Sequence, residues 1–448
     1  MVRTYDLVIV GSGTAAMGVA MRVRAAGWRV AVIDFRPFGG TCALRGCDPK
    51  KVLVSGAETV DLAYRMRARG VTGNCSINWP ELMTFKRTFT DPVPEDNRQQ
   101  YEEKGIDAFT GRARFAGHNV LEVDGDRLES RYFLIAAGAE PVRLGIPGEQ
   151  HLIDSEAFLS LDQLPSRIVM VGGGYIASEF SHIAARAGAQ VTILQRGTRI
   201  LPRFDPDLVD WLLERFTSQG ITVHTSTQVE KIEKTADGFL VRASSKGDKI
   251  SISADLVVHA AGRAPALEDL DLAAAGVETE KGRIRLNEFL QSVSNPAVYA
   301  AGDAAQVGPP LTPVSSHDAK IVAANLLEGN QHKPNYTGVP SVAFTVPPIA
   351  TVGLSEAAAL KQGLQFHVKS EKTSGCYTAR RVAEPVYGFK TLVEDESDRI
   401  LGAHLVGPHA EEVINVIALA MRNGLTATAL KSTIFAYPTA ASDIGYMF

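Results

Sequence analysis

Two stretches of this chain repeat one grammar: an apolar run, a glycine-rich turn, an alanine-rich helical stretch, and a second apolar run. In the first, Asp6–Val10 opens onto Gly11-Ser12-Gly13-Thr14-Ala15-Ala16 and leads to Arg29–Asp34. In the second, Arg167–Val171 opens onto Gly172-Gly173-Gly174-Tyr175-Ile176-Ala177 and leads to Gln190–Leu194. Short apolar runs bounded by glycine read as buried strands. Strand, turn, helix and strand in that order make a βαβ unit. The repeat predicts an α/β chain with two nucleotide-binding domains, a size that 448 residues accommodate.

The turn chemistry is specific. Gly11 allows a tight turn, and Gly13 lets backbone approach a pyrophosphate at the helix start, where N–H groups and the helix dipole favour an anion. Ala16 is small enough for helix–strand packing. Asp34, at the end of the second strand, is placed to accept ribose hydroxyls. At the matching point of the second unit stands Gln195, followed by Arg196, Arg199 and Arg203. Arginines pair bidentately with a 2′-phosphate, so NADPH is expected over NADH.

Tyr132–Gly138, Leu256–Arg263 and Val298–Asp303 each read as a buried strand ending at glycine, the last preceding a helix over Pro313–Leu327. Beyond a connector at 333–340, the runs Ser341–Thr345, Tyr387–Val393 and Ile400–Val406 are followed by helical stretches, an α+β pattern without a glycine fingerprint. A net charge of −4 with no basic run gives no electrostatic support for nucleic-acid or membrane-surface binding. No apolar run reaches the roughly 20 residues that span a bilayer. The glycine-broken Leu7–Met21 stretch is explained by the first turn rather than by a signal peptide, and a cytoplasmic location is expected.

Cys42 and Cys47 lie in Gly39-Gly40-Thr41-Cys42-Ala43-Leu44-Arg45-Gly46-Cys47-Asp48-Pro49-Lys50. Five apart on a regular helix, two cysteines point to different faces and cannot be bridged. Gly46 and Pro49 can distort the turn. Arg45 and Lys50 favour a thiolate, whereas Asp48 opposes one. Cys75 and Cys376 are isolated, so no tetrahedral metal site is expected.

With both fingerprints, the Gly-Gly-Thr-Cys-x4-Cys-x-Pro element, Leu134–Pro141, Gly262-Arg263, Gly302-Asp303, Leu311-Thr312-Pro313 and Pro347–Gly353, nearly the whole chain resembles the flavin-dependent pyridine nucleotide–disulfide oxidoreductases. The resemblance implies two Rossmann-like dinucleotide-binding domains plus a C-terminal α+β dimerisation domain. It places an FAD domain at 1–148 and 265–336, an NAD(P)H domain at 149–264 and an interface domain at 337–448 of a homodimer. It implies FAD contacts from Gly11, Gly13, Ala15, Asp34, Gly40, Thr41, Lys50, Ala113, Ala137, Gly138, Asp303 and Thr312. NADPH contacts would come from Gly172, Gly174, Tyr175, Ile176, Glu179, Arg196 and Gly262. Cys42–Cys47 would be a redox-active disulfide, with Cys47 against the flavin and Cys42 attacking substrate. Lys50 and Glu179 would pair beside the flavin, and Tyr175 would cover the nicotinamide side.

One signature departs. Disulfide reductases of this family end with His-Pro-Thr-x-x-Glu, whose imidazole protonates the leaving thiolate. Here the stretch is Tyr437-Pro438-Thr439-Ala440-Ala441-Ser442. A phenol of pKa about 10 donates a hydrogen bond but does not cycle as imidazole does. The expected reaction is NADPH-driven reduction of a disulfide through FAD and Cys42–Cys47, with Tyr437 as donor. The alternatives are a metal-ion or quinone reductase like mercuric reductase, which also carries Tyr here, and a redox-sensing flavoprotein with little turnover. Outside the motifs, His409, Glu411 and Glu412 read as the opening of an amphipathic helix, His317 as a helix-surface residue, Arg380-Arg381 as a solvated pair and Cys376 as an ordinary thiol.

Overall fold

The computed structural model describes residues 2–448. The chain divides into two compact units. One comprises Met1–Lys50, Phe85–Val142 and Arg263–Tyr336; the other comprises Lys51–Thr84, Arg143–Gly262 and Thr337–Phe448.

The first unit is built on the strand Val2–Val10, which pairs in parallel with Val30–Asp34 on one side and Asp126–Ile135 on the other. Val30–Asp34 pairs in turn with Asp107–Thr110. The free edge of Asp126–Ile135 is shared: Val120–Val123 runs antiparallel along its first half, and Val298–Ala300 runs parallel along its second. Leu7, Val8 and Ile9 are fully buried because both sheet faces are covered, the usual state of parallel strands. The helices Thr14–Ala25 and Thr312–Glu328 pack together through Ala16, Val19, Ala319 and Val322.

The second unit holds three sheets. Thr222–His224, Gln190–Leu194, Arg167–Val171 and Leu256–His259 form a parallel sheet in that order. Thr227–Thr235, Gly238–Ser245 and Asp248–Ala254 form an antiparallel meander. The C-terminal sheet runs Ser341–Ala343, Ile349–Gly353, Ile400–Val406, Gly388–Glu394 and Phe366–Lys372, all antiparallel. The helix Ala410–Arg422 buries Val413, Ile414 and Ile417 in the core that sheet shares, and Glu411 and Glu412 occupy its first turn as expected.

The repeated grammar is repeated geometry. The Gly11 N–H donates to the Ile33 carbonyl, and the Gly172 N–H to that of Leu194. A Cβ on Gly11 (φ +103°) would meet the Ala136 carbonyl oxygen at 2.2 Å, and one on Gly172 (φ +114°) that of Ala260, also at 2.2 Å. Both glycines are required by the left-handed backbone and by the neighbouring strand end pressing on the turn. The two Rossmann-like halves and the α+β C-terminal sheet are the fold class read from the sequence. Among the described residues no helix is long and apolar enough to cross a membrane.

Candidate active site

In the first unit, the sulfur-bearing segment is tied to the glycine turn by hydrogen bonds. The Ser12 hydroxyl and N–H both donate to Asp34 Oδ2, at 2.6 and 2.9 Å, and the same hydroxyl accepts the Gly39 N–H at 3.2 Å. Gly40 then passes so close to Gly13 that a Cβ on it would lie 2.4 Å from the Gly13 Cα. Gly40, with φ +70°, therefore admits no side chain.

The helix Gly40–Arg45 stops at Gly46 (φ −148°, ψ −107°), and a new helix, Cys47–Arg65, starts at once. The Gly46 carbonyl accepts the Lys50 N–H at 3.0 Å, opening the second helix. Pro49 sits in that helix's first turn, where its missing N–H costs nothing. This break overturns the geometry of a continuous helix, and Cys42 and Cys47 hydrogen-bond each other. Both are free thiols.

The two sulfurs are unequal. Cys47 Sγ lies 3.3 Å from Thr312 Oγ1, the first residue of the Thr312–Glu328 helix. Its pKa falls to about 6: the Cys42 S–H donates to it, and the Thr312 hydroxyl and Lys50 charge help, against burial and Asp48. Cys42 is pushed the other way, by its hydrogen bond to Cys47 and then by burial and Asp48, with Thr312 opposing. The pair therefore holds one proton on Cys42 and a thiolate on Cys47. Asp48 Oδ1, 3.9 Å from Cys42 Sγ, is a second acceptor within reach of that one S–H proton, a contact absent from the sequence expectations.

The remaining predicted first-unit residues come from several strands and turns of that unit. Asp303 follows Val298–Ala300; burial raises its carboxyl pKa and Arg263 lowers it. Ala15 and Gly40 are buried, Thr41 is exposed, and Ala137 and Gly138 end the strand Asp126–Ile135. Ala113 begins the short strand Ala113–Gly117 and is buried in the core. The adjoining Gly302 N–H donates to Asp318 Oδ2 at 3.0 Å, and the Tyr336 hydroxyl to Asp318 Oδ1 at 2.8 Å. His317 is half-buried on the Thr312–Glu328 helix, and its Nε2 accepts the Asn335 N–H at 3.0 Å.

In the second unit, Gly172, Gly174, Tyr175 and Ile176 form the turn and first residues of the helix Tyr175–Arg186. Tyr175 hydrogen-bonds Ser341 and meets the Phe204 ring edge-on at 5.4 Å. Glu179, on the same helix, is buried and accepts the Phe344 N–H at 2.8 Å. Arg196 is exposed, and Gln195 Nε2 donates to the Arg199 carbonyl at 3.2 Å, shaping the loop around it. Gly262 ends the strand segment Leu256–His259 with open space where a Cβ would stand. Tyr437 is 78% exposed, its ring centroid 6.4 Å from that of Tyr377. Cys376 is half-buried, and Arg380 and Arg381 are exposed.

The chain matches the family described as pyridine nucleotide-disulphide oxidoreductase over residues 5–319, and that family's dimerisation domain over 339–447. The chain belongs to the pyridine nucleotide–disulfide oxidoreductase family. It is 33% identical over 98% of its length to a mercuric reductase of Staphylococcus aureus, covering 81% of that protein. It is 29% identical to a glutathione reductase of a Nostoc species, covering 98% of both. Among solved structures it resembles the Cu(II) complex of the HOCl-induced flavoprotein disulfide reductase RclA from Escherichia coli, with TM-score 0.89, 28% identity and 99% of both chains covered. Members of this oxidoreductase family are enzymes that use FAD and NAD(P)H.

The first unit fits FAD on its own geometry. The helix Thr14–Ala25 begins at Gly13 with no side-chain cap, and Thr312–Glu328 begins equally uncapped. Both leave backbone N–H groups for an anion or ring edge. Nothing lies within 4 Å of a Cβ placed on Gly138, and the Gly13–Gly40 approach leaves only backbone there. Among the described residues, no three His, Cys, Asp or Glu side chains are grouped to hold a metal ion.

The structure also contains a buried cluster that the sequence expectations missed. In the second unit, Asp61 accepts from Arg65 Nε at 2.7 Å, Arg186 Nη2 at 2.6 Å and Arg215 Nη2 at 2.5 Å. Glu384 completes this buried cluster, which ties the Cys47–Arg65 helix to Tyr175–Arg186 and Pro206–Ser218. The i, i+4 spacing of Asp61 and Arg65 was its one visible signal.

Proposed function

We propose that this chain is an NADPH-dependent FAD enzyme, acting as a homodimer, that passes an electron pair through Cys42 and Cys47 to a disulfide substrate. The observation that carries the reading is the unequal sulfur pair: a thiolate on Cys47 beside Thr312 and Lys50, and a protonated Cys42 beside Asp48.

FAD would lie along Gly11, Gly13, Ala15, Asp34, Gly40 and Thr41 at its dinucleotide end. Lys50, Ala137, Gly138, Asp303 and Thr312 would reach its other parts, and Ala113 supports the sheet behind. When bound, the flavin accepts hydride from the nicotinamide and delivers the electron pair to the sulfurs. The protein holds Cys47 deprotonated, the state that meets an electron-poor ring. It leaves Cys42 as the sulfur that exchanges with substrate. Gly172, Gly174, Tyr175, Ile176, Glu179 and Gly262 would hold the nicotinamide nucleotide, with exposed Arg196 on its 2′-phosphate.

A second reading is reduction of a thiophilic metal ion. It is supported by Tyr437 and Ser442 in place of His and Glu, and by the relatives named as mercuric reductase and crystallised with Cu(II). Anaerobic NADPH titration, read by flavin bleaching and a long-wavelength thiolate band, tests the relay. An acceptor panel of disulfides, Hg(II), Cu(II) and quinones, run on wild type and Cys42→Ser, tests the acceptor. Disulfide turnover that collapses in Cys42→Ser supports the first reading. Metal-ion turnover without disulfide turnover replaces it with the second.

A further inference from the structure

A disulfide exchange involves two proton events, one at the attacking sulfur and one at the departing sulfur. The thiol sheds its proton as it attacks, and the departing sulfur takes one up unless its thiolate is stable in water. The C-terminal motif supplies no imidazole for this here. Ser442, at the position of the family's Glu, bonds only within its own turn, its N–H and hydroxyl reaching Thr439 Oγ1 at 3.3 Å and the Thr439 carbonyl at 2.6 Å.

One carboxylate does touch the exchanging thiol. Asp48 Oδ1 accepts from Cys42 Sγ at 3.9 Å. Asp48 lies in the first turn of the Cys47–Arg65 helix. It is exposed, so its proton exchanges with water. The other groups about the sulfur do not suit this role. Cys47 is already the thiolate, Thr312 donates to it, and Lys50 is a cation.

We propose that Asp48 is the proton carrier of the Cys42 sulfur, in place of the missing imidazole. The proposal rests on the disulfide reading above. In the first half-step, Cys42 Sγ bonds to one sulfur of the substrate RSSR and the substrate S–S bond breaks. The Cys42 proton passes to Asp48 Oδ1 and then to the departing RS⁻. In the second, the Cys47 thiolate attacks Cys42 Sγ, closes the Cys42–Cys47 disulfide and expels the second RS⁻. A proton from water, relayed by Asp48, makes it RSH. The two cysteines lose two electrons, and RSSR gains them to become two RSH.

The test compares leaving groups. Asp48→Asn should lower kcat/KM about 100-fold toward an aliphatic disulfide such as oxidised glutathione, the scale of a lost acid–base group. Toward 5,5′-dithiobis(2-nitrobenzoate), whose aromatic thiolate leaves unprotonated, only the uptake of the Cys42 proton is affected, and the loss should be at least about 10-fold smaller. Asp48→Glu should recover most of the aliphatic rate. Should Asn disturb the helix start, Asp48→Ser, uncharged but helix-capping, gives the same comparison. Equal losses toward both disulfides, or no loss toward the aliphatic one, overturn the assignment while leaving disulfide reduction standing. A wild-type enzyme inert toward both disulfides removes the disulfide reading and this proposal together.

Discussion

Thr312→Val isolates one support of the Cys47 thiolate. With Cys47 a thiolate, the Thr312 hydroxyl 3.3 Å away must donate, and valine keeps its shape while removing the donor. Cys47 titrates at about 6, so at pH 7 about nine in ten pairs carry the thiolate. A hydrogen bond to a charged group is typically worth about 1.5–3 kcal/mol when dry, and one pKa unit corresponds to about 1.4 kcal/mol. Cys47 is exposed, so water replaces part of the lost donor. We therefore expect the midpoint to rise by roughly 0.5–1 unit, leaving about three-quarters to one-half of the pairs as thiolate at pH 7. The assay is thiolate absorbance near the far ultraviolet edge against pH, on reduced enzyme, with Cys47→Ser subtracted. Asp48→Asn should move the same midpoint down, because the Asp48 charge raises it. A midpoint unmoved by Thr312→Val, or shifts of the same sign in both variants, would refute the electrostatic account of the pair.

Asp61→Asn should destabilise the protein by about 3–5 kcal/mol in urea unfolding, because buried Arg186 would lose its ion pair and Arg215 would keep only its ion pair with Glu384 at 3.4 Å. A loss below about 1 kcal/mol would mean that the arginines find other partners. Asp318 is held at about 6 by burial, with the Asp303 charge adding and the Tyr336 and Gly302 hydrogen bonds opposing. A carboxyl raised above its ordinary 3.8 contributes stability that is full below about pH 4 and is lost as pH climbs through about 6. The difference in melting temperature between wild type and Asp318→Asn should therefore change across pH 4–6 and be constant above 7. Arg196→Glu should raise KM for NADPH at least about tenfold and leave that for NADH little changed; equal effects on both would place the 2′-phosphate elsewhere.

How far the sequence was legible depended on whether a feature was local. Strand positions were readable because the apolar runs Arg167–Val171, Gln190–Leu194 and Ile400–Val406 are bounded by turn residues, and those three strands have these limits in the structure. The glycine turns were readable for the same reason. Their second cause was not, since the Ala136 and Ala260 carbonyls that press on Gly11 and Gly172 arrive from strands about 90–125 residues away in the chain. The Asp61 cluster draws on four distant segments, so only its Asp61–Arg65 limb left a periodic trace.

The cysteine pair shows why local reading of a site has a limit. Its spacing alone argued against contact, and the argument holds for a continuous helix. What changes the answer is one residue, Gly46, where an added Cβ would press on the Thr41 carbonyl at 3.0 Å and on the Thr41 Cγ2 at 3.1 Å. The break there brings Cys42 and Cys47 into contact and turns Asp48 toward Cys42 Sγ. A carboxylate beside a thiol pair looks like an obstacle when only charge is counted, because it opposes both thiolates. Once the pair shares a single proton, the same charge does something else. It adds to what keeps the proton on Cys42, while the hydrogen bond between the two sulfurs, the largest cause, makes Cys47 the thiolate. The asymmetry that a dithiol relay requires is thus set mainly by the contact between the two sulfurs, which the break at Gly46 permits.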